Sequence, residues 1–296
     1  MKAIRRIGSL LLSLAFLTQS SNLRAQAPFS DTFTEASLNP AWTFENPNPD
    51  SSYAMTGTSL NIIASWDGGG SDLWSGSNLK APRLLQPVDP SLDWIIETGF
   101  GFSPGHDYQG AGLLLARTNQ LFSNDADFTR IAERAFYPNG GGNVIRSVGG
   151  YVLYSGASSC LRVQKSGTNY TGWWSSDGVQ WTLNGTTTMT GGWPYFGLFV
   201  IRYMWDGAQI NSSASFYYFN VTVTTQPTLS IQPLPPNQVV ISWPSWAANY
   251  VLVSTNQIPT TTSWPAVAAV PTPIGNSLYV TNALGVGAQF FQLRQP

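Results

Sequence analysis

The histidine His106 and the acid Asp107 are adjacent and lie between a turn and a strand-like run. In a hydrolase, such a pair acts as the base and its orienting group for an attacking nucleophile. The chain has no Gly-x-Ser-x-Gly elbow or other activated nucleophile, and its single histidine cannot build a multi-histidine zinc site. We therefore interpret Asp107 as a turn residue that bonds backbone amides, with His106 directed to solvent or a neighbour.

Paired carboxylates are the second catalytic possibility. Glycoside hydrolases need two carboxyl groups that face each other across the scissile bond. The two groups are about 5 to 5.5 Å apart in retaining enzymes and about 6.5 to 9.5 Å apart in inverting ones. Asp125 and Asp127 are two residues apart, but they fall at a loop edge, where carboxylates usually cap backbone amides. Glu97 is the one acid in its predicted strand. We predict no catalytic residue, and a polysaccharide hydrolase or lyase remains the alternative.

Cys160 is the only cysteine, which excludes an intramolecular disulfide and a cysteine-based metal site. Leu161 and Val163 follow it in strand-like alternation, and this pattern favours a buried structural thiol. We predict no cofactor.

Aromatic side chains are the remaining candidates for a binding site. Sugar rings stack on Trp and Tyr because their C–H groups suit a π surface, while polar neighbours bind the hydroxyls. The residues predicted to bind a ligand are Trp66, Trp74, Tyr108, Arg130 and Trp173. Trp205 belongs to the same aromatic group, and Arg162 and Asp72 are possible hydrogen-bonding partners. Each aromatic could instead serve packing, the role that we assign to Trp42, Trp94 and Trp181.

These side chains must be positioned by strands, because only 10% of the residues are charged and Gly and aromatic residues abound. Residues 110 to 116 read as a strand that is apolar on both faces, and residues 127 to 133 as the strand that pairs with it. The glycine-rich run from 137 to 150 is predicted to be a long loop. Turn signals recur about every 8 to 12 residues, which is typical of a β-sandwich.

Residues 1 to 25 have the charged start, apolar run and small-residue end of a secretory signal peptide. No later run approaches the roughly 20 apolar residues that span a membrane. The chain has 14 Lys and Arg against 15 Asp and Glu, and cleavage would remove four of the basic residues, which leaves a net charge of −5. We therefore expect a secreted, periplasmic or cell-surface protein that inserts into no membrane and binds no nucleic acid.

The composition changes near residue 226, because residues 227 to 296 contain one charged side chain, Arg294. Four strand-like runs with proline-rich connections follow, at 238 to 243, 250 to 253, 278 to 280 and 290 to 293. About 70 residues of this pattern predict a small immunoglobulin-like β-sandwich.

Residues 28 to 224 resemble the concanavalin A-like β-sandwich modules of the family once called DUF1349, which also occur at the C-terminus of bacterial β-xylosidases. The matching segments are 29 to 33, Trp42, 81 to 85, 102 to 105, 108 to 113, 128 to 131, 176 to 178 with Trp181, 197 to 200 and 215 to 221. The resemblance implies two curved antiparallel sheets and a role in carbohydrate recognition or beside a glycoside hydrolase. Such modules often carry an acid in the last strand, where this chain has Phe216-Tyr217-Tyr218-Phe219. A structural calcium that pairs Asp31 with this strand is possible but not supported.

The sequence thus predicts an all-β protein, a concanavalin A-like jelly-roll sandwich (28 to 224) followed by an immunoglobulin-like domain (227 to 296). Its predicted function is non-catalytic binding of a glycan or polysaccharide by aromatic stacking on an open sheet face. A polysaccharide-active enzyme and a structural or adhesive exported protein are the alternatives.

Overall fold

A computed structural model describes residues 28–66, 70–74, 76, 78–137, 142–203, 209–257, 264–285 and 287–295. Strands, turns and two short 3₁₀ segments account for the secondary structure in these ranges. The all-β prediction is therefore confirmed. Among the described residues, no helix has the length and apolar character needed to cross a membrane. The predicted signal peptide and Trp205 lie outside the described residues.

The N-terminal part is a sandwich of two antiparallel sheets with seven strands each. Its strands in chain order are β1 (Thr43–Glu45), β2 (Ser52–Met55), β3 (Leu60–Ala64), β4 (Arg83–Pro87), β5 (Trp94–Gly101), β6 (Gly110–Ala116), β7 (Phe128–Tyr137), β8 (Gly142–Ser147), β9 (Gly150–Leu153), β10 (Ser158–Ser166), β11 (Asn169–Ser175), β12 (Thr182–Thr188), β13 (Tyr195–Ile201) and β14 (Ser212–Val223). The front sheet has the order β1-β4-β13-β6-β7-β8-β9, and the back sheet has the order β12-β11-β10-β5-β14-β3-β2.

Strand β6 lies at the centre of the front sheet, and all seven of its residues are buried. Leu113 and Leu115 belong to the main core between the two sheets, whereas Leu114 belongs to a second apolar cluster on the opposite face. Leu73 and Phe122, from the segments before β4 and after β6, cover that second cluster. The prediction of a strand that is apolar on both faces is confirmed, and the covering segments form a wall on the outer face of the front sheet.

The described residues of the C-terminal part form six further strands. They are β15 (Ser230–Leu234), β16 (Gln238–Pro244), β17 (Val251–Thr255), β18 (Thr272–Ile274), β19 (Ser277–Ala283) and β20 (Phe290–Arg294). They form a four-stranded sheet, β15-β16-β19-β18, and a two-stranded sheet, β17-β20. All four predicted strands in this region are confirmed. The domain boundary near 226 remains a prediction, and it falls between the end of β14 and the start of β15.

The prediction of a long loop from 137 to 150 is wrong for the described residues of this run, and residues 138 to 141 lie outside them. Strand β7 extends to Tyr137, and β8 and β9 form a hairpin through Val148 and Gly149, whose φ angles are 40° and 90°. Val144 and Ile145 are fully buried, because β8 pairs with β7 and packs into the sandwich. Pairing with a neighbouring strand therefore overrides the low strand propensity of glycine.

Two of the three tryptophans assigned to the core are buried, namely Trp42 and Trp94. Trp181 is only partly buried, and the guanidinium carbon of Arg162 lies 3.8 Å from its ring centroid. Since Arg162 lies between the core residues Leu161 and Val163 on β10, it points to the outer face of the back sheet. The core assignment of Trp181 is wrong for this reason.

Cys160 is half-buried rather than buried. Leu161 and Val163 occupy the core face of β10, so the alternation of the strand turns Cys160 to the other face. Partial burial raises the pKa of the thiol and keeps it protonated.

Candidate functional site

Four aromatic rings form a continuous arc on the outer face of the front sheet. The ring centroids of Trp74 and Tyr203 are 6.4 Å apart, those of Tyr203 and Tyr108 are 5.9 Å apart, and those of Tyr108 and Tyr137 are 5.7 Å apart. All three contacts are edge-to-face, the arrangement that aromatic pairs prefer because the positive ring edge meets the negative ring face. The arc is thus a single wall of mutually supported rings.

Three of these rings are positioned by the ends of strands and by one bridge. Tyr137 is the last residue of β7, and Tyr203 lies just after β13. The backbone amides of Arg202 and Ser71 each donate to the carbonyl of the other, at 2.8 and 2.7 Å. This bridge holds the segment that contains Trp74 against the end of β13, so that Trp74 meets Tyr203.

Tyr108 is delivered by the turn that contains the His106-Asp107 pair. Its φ is 56°, in the left-handed region that few residues other than glycine adopt. The side-chain oxygen of Gln109 accepts hydrogen bonds from the amides of Gly105 and His106, at 2.9 and 3.2 Å. The Tyr108 amide donates to the carbonyl of Phe136 at 2.9 Å. The turn is therefore tied to the end of β7, and it directs the Tyr108 ring into the arc.

The floor of the site is an ion-paired cluster around Glu133, which is completely buried. Glu133 Oε1 lies 2.6 Å from Arg146 Nη2, and Glu133 Oε2 lies 3.3 Å from Arg130 Nη1. The hydroxyl of Tyr137 donates to Glu133 Oε1 at 2.7 Å. Because both carboxylate oxygens are bonded, the cluster fixes the positions of the two guanidinium groups.

A β-bulge places Arg130 and Glu133 on the same face of β7. Residues three apart on a regular strand point to opposite faces. Here Leu113 pairs with Ala132 and Leu114 pairs with Arg130, so that Ile131 is the extra residue. The bulge therefore restores both charged side chains to the outer face.

The charges of the floor stabilise one another. Burial alone would raise the pKa of Glu133, but Arg130, Arg146 and the Tyr137 hydroxyl together hold it below the ordinary value. Burial and the nearby carboxylate raise the pKa of Tyr137, so its hydroxyl remains a donor. Burial opposes the charge of Arg130, yet Glu133, Tyr137 and Asp72 raise its pKa. The two arginines are thus balanced by two carboxylates.

The arc and the floor enclose a cavity of about 340 Å³, which we call the aromatic pocket. Its volume is at the lower end of the range of ligand pockets, about 300 to 1,000 Å³. The residues that line it are Asp72, Trp74, Tyr108, Arg130, Tyr137, Arg146 and Tyr203. A few charged groups that converge between flat apolar walls suit a ring-shaped ligand that carries hydroxyls.

No protein family model and no curated protein matches the chain. Its fold is similar to that of solved structures at low identity. The GH43 protein BlXynB from Bacillus licheniformis is 15% identical, with a TM-score of 0.46 over 65% of this chain and 38% of that one. The xylan β-1,4-xylosidase from Bacillus halodurans is 14% identical, with a TM-score of 0.44 over 66% of this chain and 39% of that one. A seed lectin from Lotus tetragonolobus is 13% identical, with a TM-score of 0.43 over 67% of this chain and 99% of its own. The chain spans about two fifths of the length of the two Bacillus proteins.

Of the predicted ligand-binding residues, the structure brings Trp74, Tyr108 and Arg130 together in the aromatic pocket. Trp66 and Trp173 do not line it. The Trp66 amide donates to Asn211 Oδ1 at 3.1 Å, beyond the end of β3 in the back sheet.

Trp173 is on the outer face of the back sheet. Tyr170 and Trp174 pack in the core, and Trp173 pairs with Arg162, which is bound to Glu97 at 2.7 Å. Trp173 and Arg162 therefore lie on the opposite side of the sandwich from the aromatic pocket.

Sequence reasoning missed Tyr137, Arg146 and Tyr203, and it missed the role of Glu133. Arg146 and Tyr137 were hidden because the glycine-rich run was interpreted as a loop. The sequence did contain an indication for Glu133. A charged residue in a strand beside one that is buried on both faces must itself be buried, and a buried charge needs a partner of opposite charge.

The other carboxylates considered in the sequence have structural partners. Asp127 Oδ2 accepts hydrogen bonds from the amide and hydroxyl of Ser123 at 2.7 and 2.8 Å, and these bonds lower its pKa. Asp31 Oδ1 accepts from the Phe33 amide, and its Oδ2 accepts from Trp42 Nε1. Among the described residues, no three His, Cys, Asp or Glu side chains are grouped so that they could hold a metal ion.

Proposed function

We propose that this chain binds carbohydrate in the aromatic pocket. The observation that carries the proposal is the position of four contacting aromatic rings around a floor of two fixed guanidinium groups. The apolar C–H face of a sugar ring stacks on a Trp or Tyr ring, and its hydroxyls accept from Arg and Tyr donors.

The floor makes this binding selective for a ligand of low charge. Two guanidinium groups, Arg130 and Arg146, are matched by two carboxylates, Asp72 in the lining and the buried Glu133 in the floor, so the lining and the floor together carry no net charge. Arg130 and Arg146 keep part of their surface exposed, and their remaining N–H groups can donate to neutral hydroxyls. Because Glu133 holds both guanidinium groups in place, little ordering of side chains is required on binding.

The cluster supports binding in preference to hydrolysis. A glycosidase needs a carboxylic acid whose pKa is raised so that it can protonate the leaving oxygen. Glu133 has the opposite property, since its pKa is lowered and both of its oxygens are bonded. The proposal is therefore for a non-catalytic binding protein.

We extend the proposal to a secreted or cell-surface protein, supported by the signal-peptide pattern of residues 1 to 25. The immunoglobulin-like domain at 227 to 296 would then be an accessory part. The residues that line the aromatic pocket all belong to the N-terminal sandwich.

A glycan array on the purified protein tests the proposal, with Trp74→Ala and Trp173→Ala as a matched pair. Trp74 is 50% exposed in the pocket, whereas Trp173 lies on the opposite sheet. We expect Trp74→Ala to weaken binding to neutral glycans by about tenfold or more, since an aromatic platform contributes a large share of such contacts. Trp173→Ala should bind as the wild type does. Binding to no glycan, or equal loss in both variants, would overturn the proposal.

A further inference from the structure

The aromatic pocket continues into a second cavity of about 450 Å³, which we call the open groove. The two cavities share Trp74, Arg130 and Arg146. Beyond these shared residues, the lining of the open groove includes Phe128 and Thr129 of β7, Val148 and Gly149 of the β8-β9 turn, and Thr187 and Met189. It crosses the β7-β8 surface towards strand β12, and it is more open to solvent than the aromatic pocket. Together the two cavities offer more room than one sugar ring needs.

The aromatic pocket is walled at its far end. Neighbouring ring centroids in the arc are 5.7 to 6.4 Å apart, within the range of direct aromatic contact. The arc ends at Tyr137, and there the Arg146 guanidinium carbon lies 5.8 Å from the ring centroid. Among the described residues, contacts of this kind leave no gap between adjacent members of the arc through which a polymer chain could pass. A chain that enters along the open groove therefore stops at the arc.

We propose that the site binds the end of a neutral oligosaccharide or polysaccharide chain. The terminal residue occupies the aromatic pocket, and the next residues follow the open groove towards Thr187 and Met189. This inference rests on the proposed function, and it adds that the ligand is a chain recognised at its terminus. An internal segment would have to extend in both directions, and the aromatic arc prevents this.

Binding capacity on insoluble polysaccharides tests the inference. The probes are insoluble xylan, mannan and cellulose, each before and after mild acid hydrolysis that cuts chains but leaves the material insoluble. The number of chain ends is measured by a reducing-sugar assay, and the amount of protein bound at saturation is measured by depletion. On any polysaccharide that binds, we expect the bound protein per milligram to rise in proportion to the number of chain ends.

The possible results separate this inference from the proposed function. Capacity that stays constant while chain ends increase would overturn chain-end recognition and leave carbohydrate binding intact. Failure to bind all three polysaccharides, together with a blank glycan array, would overturn both.

A variant pair tests the path of the chain. Thr187→Leu should narrow the open groove with an aliphatic side chain that offers no ring for stacking, and it should reduce the affinity for a hexasaccharide towards that for the monosaccharide. Thr182→Leu is the matched control, because Thr182 is exposed on the same strand and lines neither cavity. Equal hexasaccharide affinity in both variants, measured by titration calorimetry, would contradict the proposed path.

Discussion

Glu133 is the residue on which the charged floor of the pocket depends. Its carboxylate is completely buried, and it is the common partner of Arg130, Arg146 and Tyr137. Removing one member of a buried ion-paired group leaves the others without compensation, which typically costs about 3 to 5 kcal/mol. Both the stability of the sandwich and the geometry of the binding site should therefore respond to this one side chain.

We expect Glu133→Gln to lower the free energy of unfolding by about 3 kcal/mol at neutral pH. The pKa of Glu133 in the folded protein lies below the ordinary value of 4.5, so its stabilising contribution is complete above that value. The contribution is lost as the pH falls through the folded-state pKa. Urea unfolding between pH 7 and strongly acidic pH should show the difference between wild type and variant shrinking at the acidic end.

Glu97→Gln is the control for this prediction. Glu97 also binds an arginine, Arg162, but both side chains are partly exposed, and water screens their interaction. Glu97→Gln should therefore lower the free energy of unfolding by about 1 kcal/mol or less. A larger loss for Glu97→Gln than for Glu133→Gln, or a Glu133 effect that grows on acidification, would contradict the account.

At the scale of elements, the close approach of β6 and β7 sets the shape of the front sheet beneath the pocket. A Cβ added at Gly112 would lie 2.2 Å from the carbonyl oxygen of Ala132 and 2.7 Å from the Glu133 Cα. Both atoms belong to the backbone of β7, so they can move only if the strand moves. Glycine is required here because of this approach, next to the bulge that orients Arg130.

We therefore expect Gly112→Ala to lower the free energy of unfolding by about 2 kcal/mol or more, as for an overpacked core. Gly105→Ala is the control, because a Cβ at Gly105 meets no atom within 4 Å. It should change stability by no more than about 0.5 kcal/mol, as measured by chemical denaturation. Similar free energies of unfolding for the two variants would show that β6 and β7 can move apart without a loss of stability.

The sequence allowed the elements to be predicted better than the site. The doubly apolar pattern of 110 to 116 and the pairing of the following strand were predictable, because burial on both faces leaves an unbroken apolar run. Strand β8 was not predictable, since the glycine-rich run at its start favours a loop and only pairing with β7 makes it a strand. Tyr108 and Trp74 were found as aromatics near turns, whereas Tyr203 joins them only through the bridge between Ser71 and Arg202.

At the scale of the whole molecule, the two sheets present different outer faces. The front sheet carries the aromatic pocket and most of the open groove, which ends at β12 on the edge of the back sheet, and the outer face of the back sheet carries Trp173, Trp181 and the pair of Arg162 with Glu97. Trp181 lies under a guanidinium group, so that one of its faces is already covered. Aromatic composition alone does not distinguish these faces, but the front sheet has four rings in mutual contact around one cavity.

The central claim, that carbohydrate binds in the aromatic pocket, is tested most directly by the indole N–H signals of the 12 tryptophans in an NMR titration. The titrant is the neutral oligosaccharide with the highest signal on the glycan array, and signals are assigned by single Trp→Phe changes. We predict that the Trp74 signal shifts to saturation, while those of Trp173 and Trp181 stay in place. Saturable shifts of Trp173 or Trp181, with Trp74 unmoved, would place the ligand on the back sheet and contradict the account.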